Sequence, residues 1–480
     1  LLDWKELPQI FLRGMMAGAT GADSNFYRPL QLVSHFVDVQ LFGVFPVWHH
    51  LQSILWACAG AMLLFQLLAR LTNAGQEVAA LLAAFFASSL WAAHPLQALA
   101  VPYLSGRGDL MMLSFTIGAA LAWPKNRWLA LIFCVCAMLS KESGMLSPLF
   151  VWLFAPERGS WKRFWPLAAA VAAYLALRLT VLNFHDTLNF YGQKNLLTEN
   201  YSYRLFTYLS TVAKGWELIV FPIDMHHGRG WPIFPSLNAG WVLAGLGILA
   251  AMAAAAFFSR KRWPLVAAGA AWFVAATLPT SNLIALINAI FYDHWMILPA
   301  LAVPFALLAP WRWLLVRFHW GLVATAWLAV FLPLSTFTWQ QVAYWRSPEA
   351  LYERILHFEP KNHAILNNLG MLHADNMDLE GAIEHYRKSL ALEETAAARN
   401  NLGRAYLSLG NHKEAVEELS RAAQLDPRMP QVLAGLGLAQ LLQGDCMAAQ
   451  ASFEKALAIL PDKQTEAALA MAKQCAERPR

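Results

Sequence analysis

Apolar runs and polar breaks alternate along the first 340 residues. Runs that read as membrane crossings lie at about 51–69, 78–93, 110–123, 128–140, 144–156 and 164–182. They resume at about 238–258, 264–280, 294–310 and 320–337. The pair at 128–140 and 144–156 is short, which predicts tilted crossings, a locally thinned bilayer or a hairpin. Residues 1–49 are mixed. Asn25-Phe26-Tyr27-Arg28-Pro29-Leu30 leads an amphipathic run to Phe45, which predicts a loop with a short helix lying at the membrane interface.

Loop charges orient these runs. Arg70, then Lys125 and Arg127, then Arg158, Lys162 and Arg163 fall in alternate loops, which the positive-inside rule makes cytoplasmic. The loops with Arg107/Asp109 and Lys141/Glu142, and the polar stretch 183–203, then face the other side. A crossing at 205–222 would turn Arg260-Lys261-Arg262 outward, so that stretch is expected in plane or re-entrant. Arg312 and Arg317 are then inside and everything after Gln340 outside. The expectation is about ten spans.

The pattern changes after Tyr344 to a charged, Ala/Leu-rich repeat. Gly370, Gly403 and Gly437 correspond, as do Ala382, Ala415 and Ala449, and Pro360, Pro427 and Pro461, with Glu394 where a fourth Pro would stand. A spacing of 33–34 residues with small residues at these places is tetratricopeptide spacing, two antiparallel helices per unit. Three units are expected, with a half unit at 348–360 before them and a last helix near 465–477. The concave face of such a solenoid suits an extended peptide; a plain spacer or dimerisation arm is the alternative. The fold class predicted is all-α, a polytopic membrane bundle over 1–345 followed by an α-solenoid over 346–480.

Composition agrees. The 480 residues are 58% hydrophobic and 14% charged, with mean hydropathy +0.40, which excludes an ordinary soluble protein. Twenty-one Trp suit many membrane–water boundaries. The net charge of +5 comes with no basic cluster for nucleic acid; in the apolar part the basic residues sit in short loops. The five Cys have no metal-ligand spacing, and nothing in the sequence pairs Cys446 with Cys475. The chain opens Leu1-Leu2-Asp3-Trp4 without Met or signal peptide, and is expected to be a fragment lacking its first membrane helix.

Polar groups at the outer face are the candidate chemistry, because ionisable residues at membrane depth are costly. Arg28 in Tyr27-Arg28-Pro29-Leu30 can grip a phosphate or snorkel to headgroups. His94 and Gly106-Arg107-Gly108-Asp109 form a break where two glycines can let backbone N–H groups approach an anion; an ordinary tight loop with an Arg107/Asp109 pair is the alternative. Asp109 can hold Arg107, a sugar hydroxyl or a divalent cation. Lys141-Glu142 can contact a phosphate or neutralise itself in a hairpin turn. The Asp224–Arg229 stretch reads as a loop over an outer cavity; its adjacent His226 and His227 do not share a helix face, so no metal site is expected there. Asp293-His294 puts an acid and an imidazole at the outer end of a late span, where Asp293 can also simply stabilise a helix N-terminus. No phosphate-binding Gly loop, nucleophile elbow or His-Glu-x-x-His is present. Cationic groups near acidic ones at one lipid interface fit a lipid-phosphate substrate handled outside.

The order Tyr27-Arg28-Pro29-Leu30, His94-Pro95, Gly106-Arg107-Gly108-Asp109-Leu110, Lys141-Glu142-Ser143-Gly144, Leu177-Arg178, Pro222 and Trp345 before tetratricopeptide repeats resembles the animal transmembrane and tetratricopeptide-repeat O-mannosyltransferases and their bacterial relatives. The resemblance covers about residues 3–470. It implies a GT-C membrane fold that transfers a sugar from a polyprenyl-phosphate carrier to an acceptor hydroxyl at the non-cytoplasmic face, with inversion and no nucleotide-sugar site. A carboxylate of the first outer loop would be the general base. The family's paired Asp follows the first membrane helix, so its counterpart is expected upstream of residue 1; Asp3 lies too far along. The animal enzymes carry Glu-Arg where this chain has Asp293-His294, and His294 would supply that cation only when protonated.

The expectation is therefore a bacterial inner-membrane glycosyltransferase with repeats in the periplasm, an undecaprenyl-type carrier and a protein or peptide acceptor on the repeats. Arg28, Arg107 and Lys141 would contact the lipid phosphate. Asp109, Glu142 and His94 would orient the sugar or the basic groups, with Asp293 and His294 also in the substrate site. No cofactor is assigned, though a divalent cation is compatible with the site. The competing readings are an O-antigen ligase or polymerase and a non-catalytic membrane scaffold; an Asp pair after a first apolar helix would separate them. Arg107→Ala is expected to abolish transfer in a folded protein.

Overall fold

The computed structural model describes residues 4–11, 26–72, 77–155, 161–180, 196–284, 286–287 and 289–477. Asp3, Asn25, Arg158 and the polar stretch from 183 to 195 lie outside them. The described residues are helical, and the chain divides into two compact units, Leu1–Ala343 and Tyr344–Arg480.

In the first unit a short 3-10 turn (Trp4–Phe11) precedes α1 (Pro29–Phe42), the predicted amphipathic helix. Pro29 opens it, where a missing N–H costs nothing, and Gly43 ends it at φ +69°, a conformation that favours glycine. There follow α2 (Pro46–Leu71), α3 (Val78–Ala92), α4 (Arg107–Ala122), α5 (Arg127–Ser140), α6 (Ser147–Phe154) and α7 (Trp165–Leu179). Next come α8 (Leu196–Glu199), α9 (Tyr201–Val220), α10 (Gly240–Ser259), α11 (Pro264–Thr277), α12 (Ile297–Ala300), α13 (Ala302–Arg317) and α14 (Trp320–Ala343).

Among the described residues, four stretches are long and apolar enough to cross a membrane: Pro46–Leu71, Val78–Leu99, Gly240–Ser259 and Trp320–Arg346. A fifth arises if Asp293–Ala300 and Ala302–Arg317, bent by 46°, form one span. By length and apolarity alone this is fewer than the ten expected. The other apolar runs form shorter helices: α4 has 16 residues, α5 and α11 have 14, α7 has 15 and α6 has 8. Polar groups cut them: Gly106-Arg107 at the start of α4, and Lys141-Glu142 where α5 gives way to a 3-10 turn (Glu142–Leu146). The stretch expected to be in plane or re-entrant is one unbroken 20-residue helix, α9. It lies so close to α10 that a Cβ on Gly245 would overlap the carbonyl of Leu209.

One large apolar core joins most of these helices, with Trp272, Phe150, Phe154 and Phe305 fully buried in it, and Tyr27, Met138 and Tyr174 form a smaller cluster beside α5 and α7. The Trp272 indole N–H donates to the Leu298 carbonyl (3.0 Å), which also accepts from the Leu301 backbone N–H ahead of α13. The long helices α10 and α14 keep mostly exposed apolar flanks, as a lipid-facing surface requires.

The second unit is built as the repeat predicts. α15 (Pro348–Phe358) is the half unit. The pairs α16 (His363–Asp375) with α17 (Leu379–Leu392), α18 (Ala396–Ser408) with α19 (His412–Leu425), and α20 (Pro430–Gln443) with α21 (Cys446–Ile459) follow, and α22 (Lys463–Glu477) closes the stack. Ala382, Ala415 and Ala449 are fully buried. Gly370, Gly403 and Gly437 each lie under a large residue of the paired helix, Tyr386, Leu419 and Phe453, where no Cβ fits without movement. Cys446 and Cys475 form a disulfide between α21 and α22.

Candidate functional site

The polar breaks do converge, but with partners other than sequence neighbours. The Arg28 guanidinium, at the residue before α1, donates to both carboxylate oxygens of Glu142 (Nε to Oε1 3.2 Å and to Oε2 3.0 Å), and Arg178 of α7 approaches Glu142 at 4.0 Å. Burial alone would raise the Glu142 carboxyl; Arg28 and Arg178 outweigh it and hold it below its ordinary value. The neighbouring Lys141 turns the other way and places Nζ 2.6 Å from both oxygens of Asp109. Burial pushes the Lys141 ammonium below its ordinary value, with Asp109 pulling it back and Arg28 adding to the push. Arg28, Asp109, Lys141 and Glu142 thus form one cluster, and His294 has Lys141 and Arg28 as electrostatic neighbours.

A second ionic cluster lies on the 221–230 loop. Arg229 donates to both oxygens of Asp293 (Nε to Oδ1 2.7 Å, Nη2 to Oδ2 2.9 Å) and also contacts Asp224. Lys214 of α9 binds Asp224 (2.9 Å) and Glu217 (3.0 Å). Burial would raise the Asp224 carboxyl, but Lys214 and Arg229 hold it below its ordinary value. Rings join the two clusters: Tyr103 lies 5.1 Å from His227 and 6.4 Å from His294, and Tyr292 lies 6.0 Å and 5.5 Å from the same imidazoles. Burial lowers the His227 pKa, favouring the neutral ring. The site therefore has a ring-lined centre between two sets of basic groups, each held by carboxylates. A cavity of about 950 Å³ lined by Leu71, Arg262, Trp263 and Arg312 lies instead at loops read as cytoplasmic.

Two expected site residues point elsewhere. The Arg107 side chain is fully buried, and its guanidinium is directed at α1 and α2. It donates to Asp38 (2.6 Å), Ser34 (2.9 Å), the His49 carbonyl (2.6 Å), Ser53 (3.4 Å) and Gln52. It does not pair with Asp109, and its bonds run to α1 and α2 rather than to the cluster around Lys141. His94 caps the turn Pro95–Leu99 through Nδ1, which accepts from Leu96 N, while Nε2 meets the Ile219 carbonyl at 2.9 Å. Both of its ring nitrogens serve the fold. The glycines beside Arg107 are packing devices too: a Cβ on Gly106 would strike the Ala100 backbone, and one on Gly108 would strike Gln31 and Ser140.

Sequence reasoning missed Arg229 as the partner of Asp293, because 64 residues separate them. It also missed Asp38 and His49, although His35 and Asp38 stand three residues apart on an amphipathic run, a spacing that puts both on one helix face.

Two family models for tetratricopeptide repeats match, described as "Tetratricopeptide repeat" over residues 363–395 and "TPR repeat" over 403–444. A protein O-mannosyl-transferase of Caenorhabditis elegans is 23% identical over 81% of this chain and 57% of its own length. The protein O-mannosyl-transferase Tmtc3 of Drosophila melanogaster is 23% identical over 84% of this chain and 52% of its own. The chain thus spans about half the length of the curated relatives it matches. Among solved structures, the MamA protein is 26% identical over 27% of this chain and 71% of that chain, with a TM-score of 0.25. The resemblance drawn from motif order is met by these relatives, which run through both the membrane unit and the repeats.

Proposed function

We propose that this chain is the core of a GT-C-type membrane glycosyltransferase that moves a sugar from a polyprenyl-phosphate carrier to a hydroxyl of a protein acceptor at the non-cytoplasmic face. The observation that carries the reading is the pairing of Arg28 with Glu142 and Lys141 with Asp109 beside Tyr103 and His294. Two cations held by two carboxylates form a preorganised site for a phosphate that gains charge as it leaves. Arg28 and Lys141 take the phosphate. Glu142 and Asp109 orient them, and Arg229, fixed by Asp293, supplies the cation that the Asp293-His294 sequence lacks.

In the reaction the acceptor oxygen attacks the anomeric carbon, the bond from that carbon to the phosphate oxygen breaks, and the lipid phosphate keeps the electron pair. The acceptor proton passes to a carboxylate acting as general base. Arg107 and His94 act as positioning residues: Arg107 ties the first turn of α4 to α1 and α2, and His94 ties the 94–100 turn to the end of α9.

The repeats are proposed to present the acceptor outside, in the periplasm if the membrane is a bacterial inner membrane. The Cys446–Cys475 disulfide supports that side, since such bonds persist in oxidising compartments. On the inter-repeat face Asn401 Nδ2 donates to Asn367 Oδ1 (3.1 Å), one amide per repeat at a spacing of 34 residues. Such a row suits the backbone of an extended peptide.

The test is transfer by purified full-length protein from radiolabelled polyprenyl-phosphate monosaccharides to periplasmic or luminal protein. Label moving to protein from one monosaccharide carrier supports the reading and names the sugar. Transfer only from a pyrophosphate-linked oligosaccharide would replace it with a ligase, and transfer from neither would leave the scaffold reading.

A further inference from the structure

We propose that His35, Asp38 and His49 form a binding site for a first-row divalent transition-metal ion of the zinc type, at the outer end of the α1–α2 hairpin. The sequence places His35 and Asp38 one turn apart on α1, and the tight turn at Gly43 returns the chain so that the first turn of α2 brings His49 opposite them. One donor atom from each residue lies within 4.8 Å of the others. Two imidazoles and a carboxylate are a familiar set for ions of this class, and the absence of further carboxylates in the set argues against calcium or magnesium.

The second observation is a buried ring nitrogen without a partner. His49 is 7% exposed; its Nε2 faces the Gly43 carbonyl at 3.3 Å, while Nδ1 is buried without a hydrogen-bond partner. That nitrogen points at Asp38, 3.3 Å from Oδ2, but makes no hydrogen bond to it. A buried polar atom left unmade costs about 1–3 kcal/mol, so such groups call for a ligand. His35 is held by a hydrogen bond to the backbone of Leu104, and an imidazole has two nitrogens, so one remains for an ion.

The surroundings fit an outer shell. Metal-bound imidazoles commonly use their second nitrogen on a backbone carbonyl, as His49 does with Gly43, and metal-bound carboxylates are themselves hydrogen-bonded. Arg107 orders Asp38 in this way, taking one oxygen at 2.6 Å, and a carboxylate has lone pairs enough for a guanidinium and a metal. The Arg107 charge weakens the site relative to one without a cation. Three protein donors leave a fourth position to water. The ion would lock α1 to α2 and, through Arg107, fix the turn from which Asp109 reaches Lys141.

The experiment uses the full chain in detergent, stripped with a chelator and titrated with zinc alone, with bound ion counted by elemental analysis and calorimetry. One ion per chain is expected. His49→Ala and His35→Ala should each weaken it by more than about 100-fold, beyond what an outer-shell partner costs. His373→Ala, in the repeats, should leave it unchanged. Cobalt in place of zinc should give the intense visible bands of a four-coordinate ion, lost in His35→Ala; this half-buried position carries the test if His49→Ala does not fold. No ion retained by the wild-type chain, or equal affinity in folded His35→Ala and wild type, would overturn the proposal and leave Asp38 and His49 as an ion pair only.

Discussion

Lys141 reaches across 32 residues to hold Asp109 with Nζ 2.6 Å from each carboxylate oxygen. Sequence proximity pairs Asp109 with Arg107 and Lys141 with Glu142, and the fold exchanges both partners. The reason is helical geometry. Residues two apart on a helix do not face each other, so Arg107 and Asp109 on the first turn of α4 must point to different neighbours. Arg107 goes to α1 and α2, and Asp109 goes to the break after α5.

Removing one member of that pair should cost more than removing both. Asp109→Asn leaves a buried ammonium without its counter-charge, which typically costs about 3–5 kcal/mol. Asp109→Asn with Lys141→Met removes both charges and should recover much of that loss. Thermal unfolding of the four proteins in detergent measures the coupling. If Lys141 contacts the lipid phosphate, transfer stays absent in the more stable double variant. Restored transfer in that variant would remove Lys141 from the site.

Arg107→Ala should behave differently from the sequence expectation of a folded, inactive protein. Its guanidinium has five partners, among them the Asp38 carboxylate, and no exposed surface. The substitution should lower stability by about 3–5 kcal/mol, with loss of the monodisperse peak in detergent chromatography. Arg107→Lys should rescue it poorly, because an ammonium cannot span the same fork of acceptors. A variant as stable as wild type but inactive would return Arg107 to the substrate site.

These cases mark what the sequence made legible. The repeats were readable to the residue, because Gly370, Gly403 and Gly437 each sit under one large side chain of the same unit, and a local contact leaves a periodic trace. The helix α1 was readable too, but its buried residues include Gln31, Ser34 and Asp38, which an apolar pattern does not mark. That Arg28, Lys141 and Glu142 cluster with acidic partners was to be expected from the cost of charge at membrane depth. Their pairing did not, because Arg28–Glu142 spans 114 residues and Arg229–Asp293 spans 64, and no local spacing encodes either. Hydropathy reads α4, α5 and α11 as membrane segments, and the fold makes them helices of 16, 14 and 14 residues, shorter than a full untilted crossing.

Acid should reach the site through Glu142. Arg28 holds its carboxyl below the ordinary value of 4.5, so its contribution is fully present above that value and is lost as pH falls through the lower, folded one. The share of stability owed to this pair should stay level from pH 7 to about 5 and fall only on further acidification. Glu142→Gln should lower the melting temperature at pH 7 and flatten the acid limb. A melting curve whose acid limb matches wild type would mean that other carboxylates carry it.

The disulfide gives a topological test. Cys446 and Cys475 close a loop across a sequence separation of 29, and closure of that size constrains the unfolded chain by about 3–4 kcal/mol. The repeats should melt lower after reduction or in the Cys446→Ser, Cys475→Ser protein. In intact membranes neither thiol should react with a maleimide until a reductant is added. Labelling of both thiols without reductant would indicate a reducing compartment and place the repeats on the cytoplasmic side.

The repeat face separates acceptor binding from chemistry. Asn367 and Asn401 share one hydrogen bond, so an arriving peptide backbone can exchange that bond for its own with little rearrangement. Asn367→Ala with Asn401→Ala leaves the buried Ala and Gly positions untouched, so the solenoid should keep its melting temperature within about 1 kcal/mol of stability. Transfer to a protein acceptor should fall by about tenfold or more through KM, while transfer to a short hydroxyl peptide at high concentration should not change. A loss of kcat with both acceptors would instead link this face to the catalytic step. An unchanged KM for protein would leave the asparagines as a packing contact and favour the repeats as a spacer.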